Sequence, residues 1–129
     1  MLDLDNFKSV NDTLGHDVGD LLLQQAAERL SAALRKGDTV ARFGGDEYVL
    51  LIPDLKLTED MIPVAQKIIN SFSKPFLIDN HQLTVTTSIG IAVYPDNGTD
   101  GDILLKNADK AMYQAKQAGR ARYKLYNEG

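Results

Sequence analysis

Cysteine and tryptophan are absent from this 129-residue chain, and prolines number only four. The lack of cysteine excludes a disulfide framework and removes the usual ligands of a structural zinc site. No apolar run approaches the roughly 20 residues a membrane span needs, and no secretory leader pattern is present, so a cytoplasmic protein without direct membrane contact is expected. A basic excess is also missing: 14 Lys and Arg stand against 18 Asp and Glu, for a net charge of −4. That balance argues against broad binding to a nucleic-acid polymer or an anionic lipid surface. Any phosphate ligand must be held locally, by a few cations and a metal. With 43% hydrophobic and 25% charged residues, the chain reads as one domain over 1–129, able to bury roughly two thirds of its unfolded surface.

Met1 to Leu4 reads as the end of a buried strand. A strand of ordinary length would begin several residues earlier, so the domain is expected to lack its front. Asp5 is a candidate N-cap for a short helix over Phe7 to Leu14, stopped at Gly15. A second helix is expected from Gly19 to Leu34, with Leu22, Ala26, Leu30 and Ala33 inward. Thr39 to Phe43 and Glu47 to Ile52 form a hairpin, in which Gly44-Gly45 supplies a two-residue turn. Thr58 to Phe72 is a helix with Pro63 near its first turn. Phe76 to Ile78 and Leu83 to Tyr94 make a second hairpin, turned at Asp79 to Gln82. In its long strand Leu83, Val85, Thr87, Ile89, Ile91 and Val93 alternate with Thr84, Thr86, Ser88, Gly90 and Ala92. The second set is small or polar, which implies that something lies against that face. A last helix from Asp102 to Ala118, with Leu104, Ala108, Met112 and Ala115 inward, leads to a strand over Tyr123 to Tyr126. The order describes an α+β fold with a mostly antiparallel sheet flanked by helices.

Carboxylates recur at the ends of these elements. Asp3 sits at the carboxyl end of a strand, followed by a helix start whose free N–H groups at Asn6, Phe7 and Lys8 suit phosphate oxygens. Asp46 and Glu47 leave the glycine turn together. If the hairpin packs beside the first strand, these acids gather into a site for Mg²⁺ or Mn²⁺, which favour hard oxygen ligands. From spacing alone, Asp3 and Asp5 read equally well as helix caps. No GxxxxGK[ST] loop, GxGxxG or EF-hand loop is present. His16 and His81 are isolated and read as turn or surface residues.

Taken together, DLDNFKSVNDTLGHDVGD, RKGD, RFGGDEYVLL, TTSIGIAVYP and ADKAMYQAKQAGRARY resemble the GGDEF domain of bacterial diguanylate cyclases, in order from Asp3 to about Tyr126. The resemblance implies a nucleotidyl cyclase or palm-like fold and a transferase that joins two GTP molecules into cyclic di-GMP. It implies Asp3, the Leu4 carbonyl and Asp46 as magnesium ligands, with Glu47 as a further metal or catalytic carboxylate. By the same resemblance Asn11 and Asp20 read the guanine edge, while Lys8, Lys116 and Arg120 bind phosphates. Gly44 and Gly45 let the turn approach nucleotide. Arg35 and Asp38, in RxxD spacing, match an inhibitory site for the cyclic di-GMP product. Each position also has an ordinary structural reading: Asn11 in a turn, Asp20 as a cap, Lys116 and Arg120 as helix-end cations, Arg35 with Asp38 as a local ion pair.

Two departures stand out. Tyr48 takes the place of the usual Phe, and the family's leading helix and most of its first strand are not found in these residues. The reaction implies a homodimer with one GTP per subunit, and other domains of a parent chain as partners. The alternatives are a catalytically silent domain that binds GTP or cyclic di-GMP, and a purely structural dimerisation domain.

Overall fold

Three residues, Leu2–Leu4, form the central strand of the main sheet. In the computed structural model, which describes residues 1–53 and 55–127, this strand (β1) lies between two longer ones and is buried throughout. It leads into α1 (Phe7–Leu14) and α2 (His16–Ala33), then the hairpin of β2 (Thr39–Gly44) and β3 (Glu47–Leu51). A 3-10 turn over Thr58–Asp60 precedes α3 (Met61–Ser71). β4 (Phe76–Ile78), β5 (His81–Leu83), β6 (Thr87–Ile91), α4 (Gly101–Gln117) and β7 (Tyr123–Leu125) complete the order. The main sheet runs β2-β3-β1-β6-β7, antiparallel except for the β6–β7 pair, and β4 with β5 forms a separate two-stranded sheet. This is the α+β, palm-like arrangement expected.

Alternation sends the two faces of the sheet to different partners. Leu2, Leu4, Tyr48, Ile89 and Ile91 join Leu22, Ala26 and Leu30 of α2 and Ala65 and Ile68 of α3 in one core. The opposite face, where the small residues were found, is covered by α4. A Cβ added to Gly90 would strike the Ala108 carbonyl and the Met112 backbone, with the Met112 Cα 2.8 Å away. Only glycine lets strand and helix approach this closely. Beyond Met1, the flanking β3 and β6 border an apolar groove of about 830 Å³, lined among others by Leu51, Met61, Ile68, Ile91 and Leu104.

Several boundaries differ from the sequence reading. The strand expected from Leu83 to Tyr94 is broken: β5 stays with β4, and the chain crosses at 84–86 to enter the main sheet as β6. Hydrophobic alternation persists through the break because both sheets impose the same two-residue period. α2 begins at His16 rather than Gly19, directly after Gly15. The first-hairpin turn is Gly45-Asp46, not Gly44-Gly45. Gly44 pairs with Glu47 inside the ladder, and a bulge at Phe43 takes up the extra residue. Gly45 alone needs left-handed backbone there, at φ 51. Pro63 falls at the third position of α3, where helix N–H groups have no intrahelical acceptor.

Candidate active site

The register of β1 assembles the site. Asp3 pairs with Glu47 of β3 on one side and Ser88 of β6 on the other. Because Leu2 and Leu4 face the core, Asp3 faces the α4 side and, across the ladder, so does Glu47. The Leu4 N–H donates to the Asp46 carbonyl at 3.2 Å, which seats the turn against the end of β1. N–H and C=O of one residue in an antiparallel strand point the same way, so the Leu4 carbonyl is directed toward the hairpin as well. Asp46 is thereby set close enough to the Asp3 carboxyl to raise its pKa. Asp46 and Glu47, from a distant stretch of sequence, are thus both electrostatic neighbours of Asp3.

One cation answers them. Lys116, in the last turn of α4, donates to Asp3 Oδ2. Asp3 is 5% exposed, and its Oδ1 is buried without a hydrogen-bond partner. Burial, then the neighbouring Asp46 carboxyl, raises its pKa from 3.8 to about 6, against the downward pull of Lys116. Glu47 is also pushed up, first by burial and then by the charges of Asp3 and Asp109. Burial lowers Lys116, but Asp3, Asp46 and Asp5 outweigh it and hold the ammonium above the ordinary lysine value. Negative charge here exceeds what the lysine balances.

An unpartnered carboxylate oxygen among destabilised acids fits a hard divalent cation. Among the described residues no three Asp, Glu, His or Cys side chains form a ready-made metal cage. Mg²⁺ seldom has one; it takes one or two carboxylates and fills its shell with water and substrate phosphate. Asp3, the Leu4 carbonyl, Asp46 and Glu47 are the donors at hand.

Next to the acids, α1 starts at Phe7, which is buried, and Lys8, which is exposed. Asp5 does not cap this helix. The N-cap is Asn6, with left-handed backbone and no side-chain cap bond, while the Asp5 carboxylate turns the other way, onto β6 and the turn after α4. One turn further along the same face of α1 as Phe7, the Asn11 side chain rests on Gly19 of α2, and Asn11 Oδ1 is buried without a partner. The two unpartnered buried side-chain oxygens among the described residues thus fall on Asp3 and Asn11. Asp20 is exposed and lines a groove of about 400 Å³ with Leu23, Gln24, Val40, Arg42 and Tyr48. Arg120, exposed and left-handed at φ 63, lies in the turn after α4.

Arg35 and Asp38 stand elsewhere. Asp38 accepts from the Arg35 N–H at 2.9 Å and lies 3.6 Å from the Arg35 guanidinium, whose side chain is 62% exposed. They precede β2, whereas the Gly45-Asp46 turn follows it, a strand length of ~20 Å away. Three contributors were not visible in sequence. Arg42 donates to the Gly45 carbonyl at 2.9 Å and braces the turn, Asp109 presses on Glu47 from α4, and Asp5 has the role just described.

The family model described as diguanylate cyclase, GGDEF domain, matches residues 1–122. The chain is 48% identical over 127 residues to the signaling protein YkoW of Bacillus subtilis, covering 98% of this chain and 16% of that protein. It is 48% identical over 122 residues to MucR of Pseudomonas aeruginosa, named a bifunctional diguanylate cyclase/cyclic di-GMP phosphodiesterase, covering 95% of this chain and 18% of that protein. The crystal structure of the GGDEF domain of TpbB (YfiN) from Pseudomonas aeruginosa superimposes with a TM-score of 0.96 at 39% identity, over 99% of this chain and 80% of that one. The chain thus spans less than a fifth of the length of these two curated relatives.

Proposed function

Because the chain belongs to the GGDEF domain family of diguanylate cyclases, we propose that it binds GTP at the β1–hairpin end and, facing a second copy, condenses two GTP into cyclic di-GMP. The observation that carries this reading is that Asp3, with a buried oxygen lacking a partner, stands across the ladder from Glu47 and beside Asp46, with Lys116 donating to it. In each half-reaction the 3′ oxygen of one GTP bonds to the α-phosphorus of the other. The bond from that phosphorus to the β-phosphate bridging oxygen breaks, and pyrophosphate leaves; two such steps close the ring.

Asp3, the Leu4 carbonyl, Asp46 and Glu47 would hold Mg²⁺ or Mn²⁺. When bound, the ion supplies charge neutralisation on the α-phosphate and lowers the pKa of the attacking hydroxyl. Glu47 serves as a further metal ligand or as the carboxylate that accepts the hydroxyl proton. N–H groups of Phe7 and Lys8 at the start of α1, with Lys8, Lys116 and Arg120, bind phosphate oxygens. Asn11 and Asp20 accept from the N1–H and N2–H donors of guanine, which adenine does not offer in that pattern. The Asn11 oxygen that lacks a partner fits such a donor. Arg35 and Asp38 form the inhibitory product site, with the exposed guanidinium available to a guanine face or phosphate.

The rival reading, a silent nucleotide-binding domain, is favoured by one observation: Lys116 already occupies Asp3 Oδ2. Incubation with GTP and Mg²⁺ separates the two. The cyclase reading expects cyclic di-GMP with two equivalents of pyrophosphate, and loss of both in Asp46→Ala. GTP binding with no product from a folded dimer would establish the silent domain instead.

A further inference from the structure

We propose that Asp5 is a positioning residue for the triphosphate, acting through the turn that joins α4 to β7; this rests on the nucleotide-binding reading above. Asp5 is 4% exposed and holds three donors, none of them in α1. Its Oδ1 accepts from the Ser88 hydroxyl at 2.7 Å, and Oδ2 accepts from the Thr86 hydroxyl at 2.7 Å and from the Ala121 N–H at 3.1 Å.

The Ala121 contact matters most, because it reaches a segment in uncommon backbone. Gly119, Arg120 and Ala121 all have positive φ, at 122, 63 and 51. Two successive non-glycine residues in that region persist only where the surroundings impose it. Two anchors do so: the Arg120 N–H donates to the Ala115 carbonyl at 3.0 Å, and the Ala121 N–H is taken by Asp5.

Asp3 and Asp5 are two residues apart at the end of β1 and face the same side. Asp3 takes Lys116 at the end of α4, and Asp5 takes Ala121 just beyond it. The pair grips the helix end on both sides of the turn that carries Arg120, and so fixes where both cations meet the phosphates. Asp5 itself touches no substrate. Its loss would be felt by the triphosphate and not by the base, which is read from α1 and α2.

Binding of GTP and of GMP, measured by calorimetry on the same folded protein, tests this. Asp5→Ala should weaken GTP on the order of tenfold while GMP stays within about twofold, with loss of hydrogen-exchange protection at the Ala121 amide. Asp5→Asn keeps an oxygen for that amide, since the Ser88 hydroxyl can turn to accept from the new NH₂ group, and should recover most of the GTP affinity. Ala121→Pro approaches from the other end: proline has no N–H and cannot adopt positive φ, so the same GTP-selective loss is expected with Asp5 intact. That variant carries the test should Asp5→Ala not fold. Equal weakening of GTP and GMP, or unchanged GTP affinity in a folded Asp5→Ala or Ala121→Pro protein, would overturn the proposal. Failure of the unaltered protein to bind GTP at all would overturn the nucleotide reading, and this inference with it.

Discussion

Asp3 is a buried charge that costs folding free energy and, under the proposed function, serves as a metal ligand. Its carboxyl holds a proton more tightly in the folded chain, with a pKa of about 6, than at the ordinary 3.8. Between about pH 4 and pH 6 folding therefore takes up a proton, and stability falls as pH rises through that window. The difference is worth about 2–3 kcal/mol. Denaturant unfolding of the metal-free protein should show this decline, and Asp3→Asn should flatten it; an unchanged slope would remove the assignment. Lys116→Ala takes away the only cation bound to Asp3 among the described residues, so an NMR titration of the Asp3 carboxyl in that variant should move further upward. Tyr48 illustrates a departure that folding absorbs. The ring is 1% exposed and its hydroxyl donates to the Leu23 carbonyl at 2.6 Å, so the oxygen absent from phenylalanine is satisfied without water.

At the scale of elements, two glycines show how closely helices and strands pack. A Cβ on Gly19 would meet the Asn11 side chain, with Asn11 Cγ 2.9 Å and Phe7 Cζ 3.3 Å away. The Asn11 amide is a movable end, and alanine is a better helix residue than glycine by about 1 kcal/mol. Gly19→Ala should therefore leave stability level or slightly improved while weakening GTP binding, a separation visible by running thermal unfolding beside calorimetry. Gly90→Ala meets the α4 backbone, which cannot yield so cheaply; a loss of about 1–3 kcal/mol or more is expected in chemical unfolding. Legibility also divides at this scale. The α2 stripe of Leu22, Ala26, Leu30 and Ala33 is buried as its spacing requires, and the small face of β6 was readable as a packing surface. The break at 84–86 was not, because leaving one sheet for another does not disturb a period of two. Nor was the reach of Asp5: a carboxylate before a helix signals a cap locally, and its true partners, Thr86, Ser88 and Ala121, lie 81 to 116 residues away.

Over the whole molecule, sheet order decides which side chains become neighbours. Placing β1 between β3 and β6 brings Asp3 opposite Glu47 and lets α4 lay Lys116 on the same point. Sequence supplied the acids and, through family resemblance, their grouping; only pairing of distant strands supplies the contact. The same order sets Arg35 and Asp38 at the opposite end of β2 from the Gly45-Asp46 turn, so under the proposed function a product bound there would act at a distance or between copies. Arg35→Ala should relieve inhibition by cyclic di-GMP and leave the initial rate of synthesis in place, as read from progress curves with added product. Persistence of full inhibition would remove that site. The convergence of acids is tested most directly by paramagnetic broadening of amide resonances with Mn²⁺ and a non-hydrolysable GTP analogue. The account predicts that Asp3, Leu4, Asp46 and Glu47 broaden first and that Asp3→Asn abolishes the effect. Broadening centred on other carboxylates, or undiminished in that variant, would contradict it.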